Sequence, residues 1–116
     1  MTGYPNDQSN PAGAIPVWPV AMAGGGASFV NITTNTSTLI KTGAGTLFGV
    51  SVNTAGTGSA SIAVYDGTSA SGTLIGTYST TAQGGPVLPT VGISFATGLF
   101  AVTTATNPAD VTVSYA

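Results

Sequence analysis

Histidine, cysteine, arginine and glutamate are all missing from this chain of 116 residues. Its charged side chains are Lys41, Asp7, Asp66 and Asp110, giving a net charge of −2. Without cysteine there are no disulfides and no thiol chemistry. Without histidine, a serine or threonine nucleophile lacks its usual base, and Lys41 is the only amine side chain. One cation cannot neutralise a phosphate backbone or an anionic lipid surface, so neither nucleic acid nor membrane is an expected partner. No apolar run reaches the roughly 18 residues that would read as a membrane-spanning helix. The segment "AIPVWPVAMA", residues 14–23, is short, holds two prolines and follows no basic stretch, so a secretory signal is not expected.

What remains is 42% hydrophobic, with Thr, Ser, Gly and Asn making up most of the rest. Typical soluble domains are about one-quarter charged; here the figure is 3%. Disorder usually needs high charge with low hydrophobicity, so the chain is expected to fold, and its length suits one domain. So little charge gives little colloidal repulsion and favours association with other molecules.

Residues 1–27 differ from the rest. Pro5, Pro11, Pro16 and Pro19 punctuate them and Gly24-Gly25-Gly26 closes them. They read as an extended arm of polyproline II character ending in a glycine hinge. Ile15, Val17, Trp18 and Val20 form an apolar cluster suited to anchoring the arm at an interface. The plainer alternatives are a disordered terminus, or an arm folded back over an exposed edge of its own domain.

Residues 28–116 alternate short β-rich runs with Gly, Asn and Asp. Expected strands are 28–34, 37–42, 46–53, 59–66, 73–79, 88–96, 98–105 and 110–115. Period 2 places Phe48, Val50 and Val52 on one face of their strand. Ala60, Ile62 and Val64 share a face in the same way, as do Val91, Ile93 and Phe95, and Val111, Val113 and Tyr115. Phe48, Val50, Ile62, Val64, Ile93, Phe95 and Val113 are the expected core. About eight strands spaced so regularly predict an all-β fold, a single β-sandwich or jelly roll over 28–116 behind the arm.

The stretch "SIAVYDGTSASGTLIGTY", residues 61–78, reads as a hairpin in which Asp66-Gly67 opens a loop of about six residues. Asp66 is then a turn residue. Calcium would need more oxygens than Asp66, Thr68 and Ser69 offer. A carboxylate pair would need Asp66 and Asp110 side by side, which nothing in the spacing arranges. Neither Gly24–Gly26 nor the Gly43-Ala44-Gly45 turn fits a phosphate loop. Asn31-Ile32-Thr33 and Asn35-Thr36-Ser37 match the N-glycosylation pattern, as a chain so rich in Thr and Ser does by chance. Tyr65, Tyr78, Phe95, Phe100 and Tyr115 could line a sugar platform, although strand aromatics more often form core or cross-strand pairs. No catalytic, cofactor or metal residue is assigned.

The run "LIKTGAGTLFGVSVNTAGTGSASIAVYDGTSASGTLIGTY" and the ending "GLFAVTTATNPADVTVSYA" resemble small structural proteins of tailed bacteriophages. The resemblance covers residues 39–116, and the apolar proline arm departs from it. It implies a β-sandwich virion component, made in the host cytoplasm, without catalytic residues. The leading expectation is a head decoration (cement) protein: a homo-oligomer, expected to be a trimer, bound to the major capsid protein or another virion protein. The alternative is a tail or fibre module that binds host-surface carbohydrate.

Overall fold

A computed structural model describes residues 26–85 and 92–116. The expected arm, with Ile15, Val17, Trp18 and Val20, lies outside those residues apart from its last two. Within them all regular structure is strand, in eight pieces. These are β1 (Ser28–Ile32), β2 (Ser37–Thr42), β3 (Gly45–Thr54), β4 (Ser61–Asp66), β5 (Thr73–Ser79), β6 (Ile93–Phe95), β7 (Gly98–Thr104) and β8 (Asp110–Tyr115). They form two four-stranded antiparallel sheets, ordered β1-β8-β3-β6 and β2-β7-β4-β5. The result is a β-sandwich.

The pairing is nested. β4 pairs with β5, β3 with β6, β2 with β7 and β1 with β8, each pair enclosing the one before it in sequence. Two further pairings, β3 with β8 and β4 with β7, complete the sheets. Successive strands of the first half therefore alternate between sheets, so both sheets contribute to one core.

That core follows from alternation. Val30 and Ile32 turn inward from β1, Ile62 and Val64 from β4, Leu99 and Ala101 from β7, and Val111 and Val113 from β8. Leu47, Val50, Ile62, Val64, Leu99, Val111 and Val113 are fully buried. Each such side chain contributes roughly 1.5–3 kcal/mol by leaving water. Small β-branched residues suit the layer because they pack well on a pleated surface.

Six of the seven expected core residues lie in this layer or against it: Val50, Ile62, Val64, Phe95 and Val113 are buried, and Ile93 packs against them half-buried. Val91 lies outside the described residues. Phe48 is a correction, since it is 41% exposed while its neighbour Leu47 is fully buried. The cause is a bulge. Leu47 stands opposite Tyr115 and Gly49 opposite Ser114, so Phe48 is an extra residue with no partner of its own. An inserted residue shifts the phase of the strand, so Leu47 and Val50 share the inner face, although three residues separate them. Unbroken alternation would have put Phe48 inside in place of Leu47.

One glycine is required by close approach. Gly98 opens β7 where three strands converge, and a β-carbon there would lie 2.8 Å from the carbonyl oxygens of both Gly67 and Lys41. Both obstacles are backbone and cannot rotate away.

The phase shift sets the expected behaviour of two adjacent residues. Leu47→Ala is expected to cost roughly 2–5 kcal/mol in urea unfolding at unchanged m-value, as buried leucines do. Phe48→Ala is expected to stay within about 0.5 kcal/mol of the parent. Equal losses at the two positions would contradict the bulge.

Candidate functional site

Two of the three carboxylates belong to the described residues, and each is bound into a hydrogen-bonded cluster. Asp66 ends β4, and its side chain reaches across to the turn between β6 and β7. The N–H of Ala96 donates to one oxygen at 2.9 Å; those of Thr97 and Gly98 donate to the other at 2.8 and 3.4 Å. These donors, Ala96 foremost and then Thr97, hold its pKa below the ordinary aspartate value against a smaller opposing effect of burial. The hairpin expected over 61–78 is present, with its loop at residues 67–72. The carboxylate, however, caps a turn 30 residues downstream rather than its own. Asp-Gly spacing signals the local turn and carries no signal of a distant one.

Asp110 opens β8 on the outer face of the other sheet. The side-chain amides of Asn31 on β1 and Asn53 on β3 donate to the same oxygen at 2.6 and 3.0 Å. Asn53 also donates to the Thr112 hydroxyl, and Asn31 to the Val111 carbonyl. Asn53 first and Asn31 second lower the pKa of Asp110. The cluster crosses three strands and ties β1 and β3 to the strand between them. Asp66 lies beside the turn where β3 begins, opposite Phe95, whereas Asp110 lies where β3 ends, opposite Thr54. The sandwich therefore separates the two carboxylates instead of pairing them. Both sequons carry asparagines already engaged, Asn31 as above and Asn35 by donation to the Ala105 carbonyl. Among the described residues no pocket opens, and no three metal-ligating side chains gather.

The chemistry on display is that of the two outer faces. On the sheet β1-β8-β3-β6, Phe29 is 70% exposed. It stands opposite Ser114, which in turn faces Gly49, next to the bulged Phe48. Two phenyl rings thus flank a floor of small residues, with Asn31, Asp110 and Asn53 farther along the same face. On the other sheet, Tyr65 and Phe100 are direct cross-strand partners, between Leu39 and Leu74. Of the aromatics considered for a sugar platform, Phe95, Tyr78 and Tyr115 belong to the core or pack against it. Burial raises the Tyr78 phenol pKa. The exposed Phe29 and Phe48 escaped sequence reading: one sits on an edge strand, and the other is turned outward by a bulge that alternation does not foresee.

No protein-family model, curated protein or solved structure matches this chain.

The two carboxylates make stability depend on acid. Their folded pKa values lie below the unfolded one, so their contribution is complete above about pH 3.9 and is lost as pH falls through the depressed folded values. Melting temperature is therefore expected to hold steady from neutrality to about pH 4 and to fall below it. Asp66→Asn is expected to lower the melting temperature at pH 7 and flatten the acid slope, because an amide nitrogen would face an N–H donor. An unchanged acid slope in that variant would refute the clamp.

Proposed function

We propose that this chain is a non-enzymatic structural protein of a virion, a decoration (cement) protein that binds the assembled head of a tailed phage. The observation that carries the reading is the placement of large apolar side chains. Phe29, Phe48, Leu39 and Leu74 project from the outer faces of both sheets, in a chain with four charged residues. Exposed apolar surface of this kind marks protein contact. Asp66 and Asp110, the carboxylates that a hydrolytic reading would use, are bound into structural clusters at opposite ends of the sandwich. The nested pairing is that of a jelly roll, an architecture found among viral capsid domains as well as lectins and cupins. Fold is compatible with the role and does not choose it. The sequence resemblance to phage structural proteins supplies the choice.

In this role the major capsid protein or another shell protein is the partner, and copies associate with one another. The arm crosses to a neighbour with Trp18 as its anchor, beside Ile15, Val17 and Val20. Prolines reduce the freedom lost when such a segment is ordered. A second reading, a tail or fibre module that binds host carbohydrate, is favoured by one observation: Phe29 shares its face with Asn31, Asp110 and Asn53.

Adding purified protein to particles that lack it tests the first reading. Hundreds of copies per particle are expected; a handful would indicate the tail. Deleting residues 1–20 is expected to abolish particle binding while the melting temperature holds. Occupancy is expected to change little up to about 1 M salt, where the Debye length is roughly 3 Å, because few charges are available to screen. Release by moderate salt would overturn the apolar mode of binding.

A further inference from the structure

The two edge strands of the sheet β2-β7-β4-β5 repeat one another. Residues 38–42 read TLIKT on β2, and residues 73–77 read TLIGT on β5. Each carries one extra residue, and in each it is the isoleucine. Leu39 and Lys41 oppose the successive residues Phe100 and Leu99, so Ile40 is bulged; Leu74 and Gly76 oppose Tyr65 and Val64, so Ile75 is bulged. Both isoleucines pack against the core, and both leucines point outward, 48% and 51% exposed. Between the leucines lie Phe100 and Tyr65, in register with them and with each other. The outer face is therefore crossed by one continuous row: Leu39, Phe100, Tyr65, Leu74.

The row has internal symmetry. β2 and β5 run in opposite directions, so a local two-fold axis normal to the sheet, between β7 and β4, relates Leu39 to Leu74 and Phe100 to Tyr65. No charged side chain belongs to the row. Asp66, next to Tyr65, is turned into the 96–98 turn, and Lys41 lies past the bulge, opposite the buried Leu99.

We infer that this row is a self-association surface, and that its occupant is the same row on a second copy of the chain. An isologous contact requires a patch that complements itself under a two-fold axis. Sheets packed face to face lie about 10 Å apart, with strand directions within about 30° of each other. With the two faces opposed, a two-fold axis along the strands sets Leu39 on Leu74 and Phe100 on Tyr65 of the other copy. An axis across the strands sets each residue on its own equivalent. In both arrangements leucine meets leucine and aromatic meets aromatic, and aromatic pairs gain stability beyond their buried area. An unrelated apolar partner would not require the two edge strands to carry one motif with one bulge.

The contact is small. Four strands about 4.8 Å apart and about 23 Å long give roughly 400 Å² of face, against about 800 Å² per partner in a standard interface. Pairing is therefore weak and reversible in solution, and strengthens where copies are held close together. The inference deepens the proposed structural role, and rests on it only for the setting in which copies meet.

Analytical ultracentrifugation of the full chain over a wide concentration range tests it. A concentration-dependent monomer–dimer equilibrium is expected. Leu39→Asp and Leu74→Asp are each expected to weaken association at least tenfold, while Ser28→Asp, an exposed position on the other sheet, leaves it unchanged. Circular dichroism and melting temperature check folding. A monomer at every concentration, a trimer, or a dimer indifferent to both leucine substitutions would overturn the inference. Should an aspartate variant fail to fold, cysteines serve instead, since the chain has none of its own. Copper-phenanthroline oxidation of the Leu39→Cys/Leu74→Cys variant is expected to give a disulfide-linked dimer, and that of Ser28→Cys on the other sheet is not. Equal cross-linking of the two would also overturn it. Particle binding is measured separately: losing it while dimerisation persists removes the virion role and leaves the face pairing, and the converse holds.

Discussion

The dry layer between the two sheets is the constraint on which the rest of the molecule depends. Each sheet has one face that must be buried, and the chain has almost no charge with which to mark the other. Small aliphatic side chains define the inside, Val111 and Val113 on β8 and Leu99 and Ala101 on β7 above all, since these strands sit between two neighbours. Once they face inward, the outward positions of the surrounding strands are determined by the pleat. The exposed rings and leucines are consequences of that choice, with bulges adjusting the phase where strict alternation would have buried a different residue.

Much of this could be read from the residues. The bounds of β2, β5 and β8 coincide with the runs of β-formers between turn residues, because strand ends there are set locally. The core faces of β4 and β8 were legible for the same reason, whereas a single extra residue in β3 reversed the phase at Phe48, and Leu99 and Ala101 on β7 sit in the run GLFAV, which is apolar throughout and marks no inner face. A bulge depends on the partner strand, and Ser114 and Tyr115 lie more than 60 residues away. The outer row was hidden more deeply. Leu39, Phe100, Tyr65 and Leu74 become neighbours only when four separate strands adopt their register, and no window of sequence contains them. Asp66 shows the same gap on a smaller scale: its local turn was visible, whereas its partners at residues 96–98 were not.

With charge so scarce, the described carboxylates work as connectors. Asp110 gathers amides from the strands on either side of it, and Asp66 holds the turn that passes from β6 to β7, and so from one sheet to the other, onto the end of β4. A protein that relied on ion pairs for recognition would keep such groups open at its surface. In the proposed role, recognition falls to faces of aliphatic and aromatic groups, whose strength is set by shape and area and is little affected by ionic strength.

Nested pairing also orders the molecule in time. β8 is the central partner of both β1 and β3, yet it follows the other seven described strands in sequence. Until residues 110–115 have left the ribosome, the sheet β1-β8-β3-β6 lacks the strand that joins its halves, and Val50 and Val52 have no neighbour on that side. The hairpin β4–β5 closes a short loop, whereas β1–β8 closes nearly the whole domain, and closure entropy grows with that distance. The sandwich therefore cannot close until β8 has been made, and a chain cut before residue 110 lacks the strand that joins β1 to β3.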